Sequence, residues 1–485
     1  MKIILPLAFV ILFALPASSQ SVDANRAANE IDSLMSVITE YQLFNGAILV
    51  SEEDEIVYKD AFGKASFEWG IPNTTDTRFL IGSITKTFTA VLTLRLVELD
   101  KLNLDDVITD HIEDYPPDTG DQITIEHLLV QSSGIPDYIE LPNFLTTKAL
   151  QQHDRHEFPK FFADLDLEFE PGTDWNYGNS GYYLLGLIIE NVTGMDYEKA
   201  MDKYILEPIG LENTGYAGSS TIVENLADGY INTPAGFQKA PYIHSSAAFS
   251  AGMMYSTVKD LFKWTRSLYA GEVIQSDEYF INMITPQKED YGFGIFIGEQ
   301  RIGNHQELVF GHAGTINGFS AQLTYLSDSD YTIIIMDNTQ QCTSRIYFAI
   351  RDLLFGKEPP EISEPLSQVL GKKVAEEGVD AAVELFYNIR ENRSEQLDYD
   401  YRDFNRLIDF YMQQDKIEKA IEMYRLQAEV FTSDSSIYVD KGEAYLKIDE
   451  KQKAYESFEK ALEINPENET AQNHLKELDQ TSQAW

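Results

Sequence analysis

The 485-residue chain contains one cysteine, Cys342, which excludes a disulfide within the chain and a cysteine-based metal site or redox pair. It also lacks the His-Glu-x-x-His spacing of a zinc helix; the nearest cluster, His153-Asp154-Arg155-His156-Glu157, is spaced wrongly. No metal or other cofactor is therefore expected. A Gly-x-Ser-x-Gly elbow is missing too, since Ile81 precedes Gly82 and Ser180 is followed directly by Gly181, so the strand–elbow–helix design of many hydrolases fails at its first step. Basic residues are scarce: 37 Lys and Arg face 79 Asp and Glu, for a formal charge of −42. Residues 361–485 hold 28 of the acidic and 15 of the basic residues, so the excess is spread along the chain, and it argues against nucleic acid or an anionic membrane as partner. Only one long apolar run occurs, Ile3 to Leu15, after Met1-Lys2 and before Pro16-Ala17-Ser18-Ser19-Gln20. That order reads as a secretory signal over residues 1–20, with an exported, periplasmic or secreted product and no membrane-spanning segment after cleavage.

What is present is a nucleophile with a base beside it. In Ser83-Ile84-Thr85-Lys86 the serine and lysine are three residues apart, and in a helix such side chains share a face, which sets an amine beside a hydroxyl that needs one to lose its proton. The run from Thr85 to Leu99 is apolar on most faces, as in a buried central helix, and Gly82 permits a tight entry to it. Ser83 would then sit at the first turn, where the helix dipole favours developing negative charge. The alternative is a plain helix start with Ser83 as N-cap and Lys86 solvated. The same spacing recurs at Ser256/Lys259 and Ser457/Lys460. There the cap reading fits Ser256, and Ser457 lies inside an amphipathic helix.

Two later blocks fit the same chemistry. Pro171 to Gly181 reads as a loop anchored by a buried helix over Tyr182–Val192, and it carries Tyr177 and Asn179. A phenol near a lysine ammonium can have its pKa lowered enough to share the serine proton, and an asparagine can hold a substrate amide; a packed aromatic followed by a turn residue is the other reading. Tyr230-Ile231-Asn232 repeats the pattern without such an anchor. Leu308–Phe310, Ser320–Leu326 and Tyr331–Met336 read as strands of an antiparallel sheet, with Asn317-Gly318 as a turn. His312-Ala313-Gly314 then falls at a strand end, where small residues let a substrate approach the backbone and the Thr315 amide could join that of Ser83 as an oxyanion hole. A surface or satisfied core histidine remains the other reading of His312.

Taken together, TRFLIGSITKTFTAVLTLRLVE, TIEHLLVQSSGIPDY, EPGTDWNYGNSGYYLLG and FGHAGTINGF resemble the serine β-lactamase-related family: class C β-lactamases, penicillin-binding DD-peptidases and related esterases and D-aminopeptidases. The resemblance spans roughly residues 40 to 355. It implies a β-lactamase/transpeptidase-like α+β domain, an antiparallel sheet flanked by helices plus an all-helical region. It also implies an acyl-serine mechanism with Ser83 as nucleophile, Lys86 and Tyr177 handling the proton, and Asn179, His312, Gly314 and Thr315 meeting the substrate. His312 stands where many relatives carry the lysine of Lys-Thr-Gly. A neutral histidine offers no fixed charge to a β-lactam carboxylate, so weak or no β-lactamase activity is expected and a peptidase or esterase is favoured. Gln131 stands where relatives often carry histidine and receives no catalytic role.

At this length, with 43% hydrophobic residues, two domains are expected: the hydrolase over 25–355, a linker over 356–366 where prolines and charges interrupt the pattern, and helical repeats over 367–480. A 34-residue window from Ser435 places Tyr438, Gly442, Tyr445, Ala454, Phe458, Ala461 and Pro466 at the aromatic, small and proline positions of tetratricopeptide repeats. A window from Tyr401 gives Phe404, Leu407, Tyr411, Ala420 and Tyr424 in the same register, and residues 367–395 read as a degenerate helix pair with Ala381 and Ala382 at close-packing positions. Such an α-helical repeat unit holds a peptide or protein partner or simply caps the enzyme. The function expected is an exported serine hydrolase for an amide or ester, such as a D-amino-acid peptide or small ester. The alternative is a catalytically silent binding module that recruits a partner through its repeats.

Overall fold

The computed structural model describes residues 24–482 except 234–235, 342, 361, 363, 365, 393–403, 406–407, 410 and 413–414. The expected signal segment, Cys342 and Leu407 lie outside the described residues.

The chain enters through helix α1 (Ala24–Glu40) and the hairpin of β1 (Gly46–Glu52) and β2 (Glu55–Ala61). It then builds a helical region around α2 (Thr85–Glu98), α3 (Ser180–Thr193), α4 (Ser245–Gly252) and α5 (Val258–Tyr269). It returns through β3 (Phe296–Ile302), β4 (His305–Ile316), β5 (Phe319–Leu326) and β6 (Tyr331–Asp337) to α6 (Thr343–Leu354). The six strands form one sheet, β3-β4-β5-β6-β1-β2, antiparallel throughout. The first and last of these strands thus pair in the interior of the sheet, Gly46 opposite Asp337 and Glu52 opposite Tyr331.

Those two central strands are apolar at nearly every position because both sheet faces are covered. Period-two alternation sends Leu49, Ile334 and Met336 into the core shared with the helical region. Ile48, Val50, Ile333 and Ile335 face the other way, against Ile31 and Met35 of α1 and Ile346 and Ile350 of α6. Within the helical region α2 is buried all round, from Thr85 to Val97 with Arg95 the one exception. That explains a sequence with almost no polar face. Phe88 of α2 stacks on Trp264 of α5 with ring centroids 4.0 Å apart. Helix α3 is buried from Ser180 to Ile189 and stops at Gly194, whose φ of 64° is the left-handed cap conformation that glycine adopts without strain.

One sequence expectation is corrected here. His312 does not fall at a strand end but lies well inside β4, which runs to Ile316 before the turn at Asn317-Gly318. The pairing of β3 with β4 stops at Phe296 opposite Gly311. From His312 to Ile316, β4 therefore keeps β5 on one side and has no strand partner on the other.

Beyond Gly356 the described residues form helices α7 (Leu366–Glu377), α8 (Val379–Asn392), α9 (Ile417–Val430), α10 (Ser435–Lys447), α11 (Lys451–Ile464) and α12 (Glu469–Ser482). Ala382, Phe404, Tyr411 and Ala420 share one core, with Tyr424 packed against it; Ala381 is only half-buried. Ala454, Phe458 and Ala461 form the centre of the next. A Cβ on Gly442 would lie 2.5 Å from the Phe458 ring, so the small position of the repeat is small because α11 packs its aromatic ring there. Gly442→Val should destabilise the repeats by about 1–3 kcal/mol through overpacking, read as a lower urea midpoint in far-UV circular dichroism. An unchanged midpoint would show that the two helices do not pack as described.

Candidate active site

Ser83 lies in a single 3₁₀ turn, Gly82–Ile84, that leads directly into α2. Neither this turn nor α2 has a side-chain cap, so Ser83 is not an N-cap. Its Oγ instead stands 3.1 Å from Lys86 Nζ, one turn on along the same face. The amine also reaches Asn179 Oδ1 at 2.8 Å and the Ala251 carbonyl at 3.0 Å. Lys86 is fully buried, and burial lowers its pKa from 10.5 to about 7, with the charge of Asp137 opposing the fall. At neutral pH a large share of the lysine is thus a free amine, able to accept the Ser83 proton.

Two partners of that amine are held from elsewhere. Asn179 Nδ2 donates to Asp137 Oδ2 at 2.9 Å, which aims Asn179 Oδ1 at Lys86; burial in turn raises the Asp137 pKa. The Ala251 carbonyl follows a kink in α4 at Phe249, with φ 38° and ψ −131°. That conformation is strained for an aromatic residue and persists only where its surroundings hold it. They do so here: the Arg155 guanidinium lies 4.4 Å from the Phe249 ring centroid, and the Tyr183 and Tyr197 rings pack at 5.0 and 5.3 Å. Arg155 is itself fixed by Glu190 and Glu198, each 2.9 Å away.

The Tyr177 ring covers Lys86, with Nζ 5.0 Å from its centroid. Its hydroxyl is buried with no partner in good hydrogen-bond geometry, yet stands near enough to Ser83 for the serine hydroxyl to act on its pKa, so it can bond a reacting group there. The expected lowering of its pKa does not occur: burial raises it, Asp137 adds to the rise, and only Ser83 pulls it down. The cause is that a dry site penalises phenolate. The loop is pinned by Gln131, whose Nε2 donates to the Gly178 carbonyl at 3.0 Å while its Oε1 accepts from the Gly178 N–H at 3.2 Å. Gln131, given no role from the sequence, is a positioning residue, and its φ of 62° turns it toward the loop.

Across the site, His312 is buried and its pKa is pushed down to about 3, by burial first and then by the charge of Lys86. Its Nδ1 lies 2.6 Å from the Ala313 carbonyl. A carbonyl only accepts, so the proton sits on Nδ1, and Nε2, 3.4 Å from the Tyr291 hydroxyl, is the acceptor. His312 is neutral at physiological pH. Tyr291 and Phe296, unnoticed in the sequence, pack on His312 and Tyr177 and make this wall aromatic.

Strand β4 and the Ser83 turn touch through backbone. A Cβ on Gly314 would lie 1.9 Å from the Ile81 carbonyl and 3.0 Å from Ser83 N, and one on Gly82 would lie 2.6 Å from Thr315 N. Only glycines allow this approach, which brings the backbone nitrogens of Ser83 and Thr315 against the same pair of glycines. Ser83, Lys86, Tyr177, Asn179, His312, Gly314 and Thr315 are thus brought together. The competing patterns are not: Ser256 Oγ bonds Thr214 at 2.7 Å while Lys259 pairs with Asp76 at 2.6 Å. Ser457 bonds its own helix while Lys460 pairs with Glu463, and Tyr230–Thr233 is a strand of a separate hairpin.

Residues 27–353 match the family described as Beta-lactamase, and residues 435–468 match Tetratricopeptide repeat. The chain is similar to Protein flp of Staphylococcus aureus (strain COL), 28% identical over 329 residues, covering 64% of each chain. It is similar to the octameric penicillin-binding protein homologue from Pyrococcus abyssi, at 28% identity and TM-score 0.59, over 69% of this chain and 78% of that one. A likeness in fold extends to the D-amino acid amidase from Ochrobactrum anthropi SV3, at 23% identity and TM-score 0.58, over 68% of this chain and 98% of that one.

Because the Lys86 amine titrates near 7 in the folded chain and at 10.5 ordinarily, the unfolded chain binds that proton more tightly. Folding is penalised in full below about pH 7 and recovers as pH rises toward 10.5. Lys86→Met removes the group, so its stability gain over the parent should be largest near pH 6 and shrink toward pH 10. Thermal midpoints across that range check it; a pH-independent difference would mean that the amine is not held in its neutral form.

Proposed function

The chain belongs to the beta-lactamase family, and from that premise we propose that it is a serine hydrolase that cleaves an amide or ester through an acyl-Ser83 intermediate. The observation that carries the proposal is the buried amine of Lys86, 3.1 Å from Ser83 Oγ with a pKa near 7. Such an amine takes the Ser83 proton as Oγ attacks the carbonyl carbon, with no histidine base required. The Ser83 and Thr315 amides receive the developing oxyanion, and Asn179, braced by Asp137, holds the substrate amide. The proton passes from Lys86 to the leaving amine or alcohol, with the unpartnered Tyr177 hydroxyl placed to relay it. Water then attacks the acyl-serine, gives its proton to the same pair, and releases acid and free Ser83.

Substrate preference follows from charge. With His312 neutral and Lys86 partly so, the site offers no permanent cation for a substrate carboxylate. Amides and esters without one, including D-amino-acid amides and peptides, fit better than β-lactams. The segment Met1–Gln20 supports export, and among the described residues no helix is long and apolar enough to cross a membrane. The tetratricopeptide match supports a protein or peptide partner at the C-terminal helices.

A fluorophosphonate probe should add covalently to Ser83, located by mass spectrometry, and Ser83→Ala should abolish the adduct. Labelling that survives the change refutes the assignment. Nitrocefin turnover should be weak and should rise with His312→Lys, which restores a cation at that wall; rapid turnover by the parent would show that a neutral side chain suffices there.

A further inference from the structure

A free amine has two N–H bonds and one lone pair, and only the lone pair can take a proton. The Lys86 amine has three polar neighbours: the Ser83 hydroxyl at 3.1 Å, Asn179 Oδ1 at 2.8 Å and the Ala251 carbonyl at 3.0 Å. A carbonyl oxygen only accepts, and the Asn179 atom is fixed as the oxygen because its Nδ2 donates to Asp137. Asn179 and Ala251 therefore take both N–H bonds, and the lone pair is left facing the Ser83 O–H. When Oγ gives up its proton to attack a carbonyl, that proton becomes the third N–H, and the ammonium so formed has one partner for each. Without the Ala251 carbonyl the amine could turn an N–H toward Ser83 instead, and a donor cannot act as the base.

Ala251 contributes a backbone atom, so its place is set by the chain around it. The two residues after the kink address positions three apart on α2: the Ser250 carbonyl accepts from Thr89 Oγ1 at 2.7 Å, and the Ala251 carbonyl from Lys86. Room for the kink is left by Gly186 of α3, where a Cβ would lie 2.5 Å from the Phe249 ring. The φ of 38° and ψ of −131° at Phe249 mirror an extended conformation, which glycine enters freely and phenylalanine does not. Arg155 presses on that ring, its guanidinium carbon 4.4 Å from the centroid. It comes from the His153–Glu157 stretch, whose spacing suits no zinc ion. One hydrogen bond to Glu190 at 2.9 Å and two to Glu198 at 2.9 and 3.1 Å lock it, and Glu190 is bonded in turn by the Tyr197 N–H at 2.9 Å. A planar guanidinium held by forked carboxylate bonds is a rigid face.

We propose, building on the serine-hydrolase reading, that Arg155 is a positioning residue for the reaction: by clamping the Phe249 kink it keeps the Ala251 carbonyl on Lys86 and so turns the lone pair of the amine toward Ser83.

Three variants test it. Arg155→Met removes the clamp. Phe249→Leu keeps Arg155 and its paired glutamates but removes the ring they press on. Arg155→Met/Phe249→Gly supplies a kink that needs no clamp. The readouts are the rate constant for fluorophosphonate labelling of Ser83 and kcat/KM for p-nitrophenyl acetate, at a temperature where near-UV circular dichroism shows each variant folded. Both single variants should lose about tenfold in both rates, the order expected when a general base is misdirected, and the double variant should recover most of that loss. Recovery separates positioning from stability, since a further large-to-small change in a core only destabilises. Should Arg155→Met fail to fold, Phe249→Leu decides. Parental rates in either folded single variant, or a double variant no faster than Arg155→Met, overturn the role of Arg155 and leave the hydrolase reading standing. A parent that forms no Ser83 adduct overturns the hydrolase reading and the positioning role with it.

Discussion

A primary amine withdrawn from water is costly in its charged form, and the architecture around Lys86 is organised by that cost. The side chain is sealed by α2, by the Tyr177 ring and by the kinked segment at Phe249, and its polar neighbours are the Ser83 hydroxyl, the Asn179 amide and the Ala251 carbonyl. None of these carries charge. The Asp137 carboxylate bonds Asn179, and its charge offsets only part of the fall in the Lys86 pKa. Much of the supporting structure reads as the means of keeping this arrangement: Gln131 pins the loop of Tyr177 and Asn179, and Arg155 with two tyrosines holds Phe249 in a conformation it would not otherwise keep.

The same dryness sets the character of the opposite wall. His312 loses its charge because it is buried and because it faces Lys86, and its ring stands among Tyr177, Tyr291 and Phe296. On the proposed reading, a serine–lysine pair whose amine is only partly charged, facing an uncharged aromatic wall, would suit a substrate recognised by shape and apolar contact. The glycine-to-backbone contacts at Gly82 and Gly314 set the position of the β4 edge against Ser83.

Much of this was legible in the chain. The strand-like runs before and after Asn317-Gly318, the all-apolar α2 and the register of Gly442 against Phe458 follow from periodicity and size. Ser83, Lys86, Tyr177 and Asn179 stood out because their residue types suit one chemistry in one order. Gln131, Asp137 and Phe249 did not stand out. Their roles depend on partners 47 positions away for Gln131, 42 for Asp137 and on a strained torsion that residue type does not announce.

Residue order carries the local terms: a serine and an amine one helical turn apart, glycines where backbones must touch, a histidine in place of a fixed cation, and a repeat register at the C-terminal end. Those depend on spacing along the chain. Tertiary structure alone decided the electrostatics. Burial turned Lys86 toward a free amine, raised the Tyr177 phenol where a lysine neighbour alone would have lowered it, and stripped His312 of charge. It also ended the β3 pairing at Gly311, which leaves His312–Ile316 of β4 with a strand partner on one side only. The reason is physical: desolvation and strand pairing are set by which distant segments close over a group, and nearest-neighbour sequence carries no record of that.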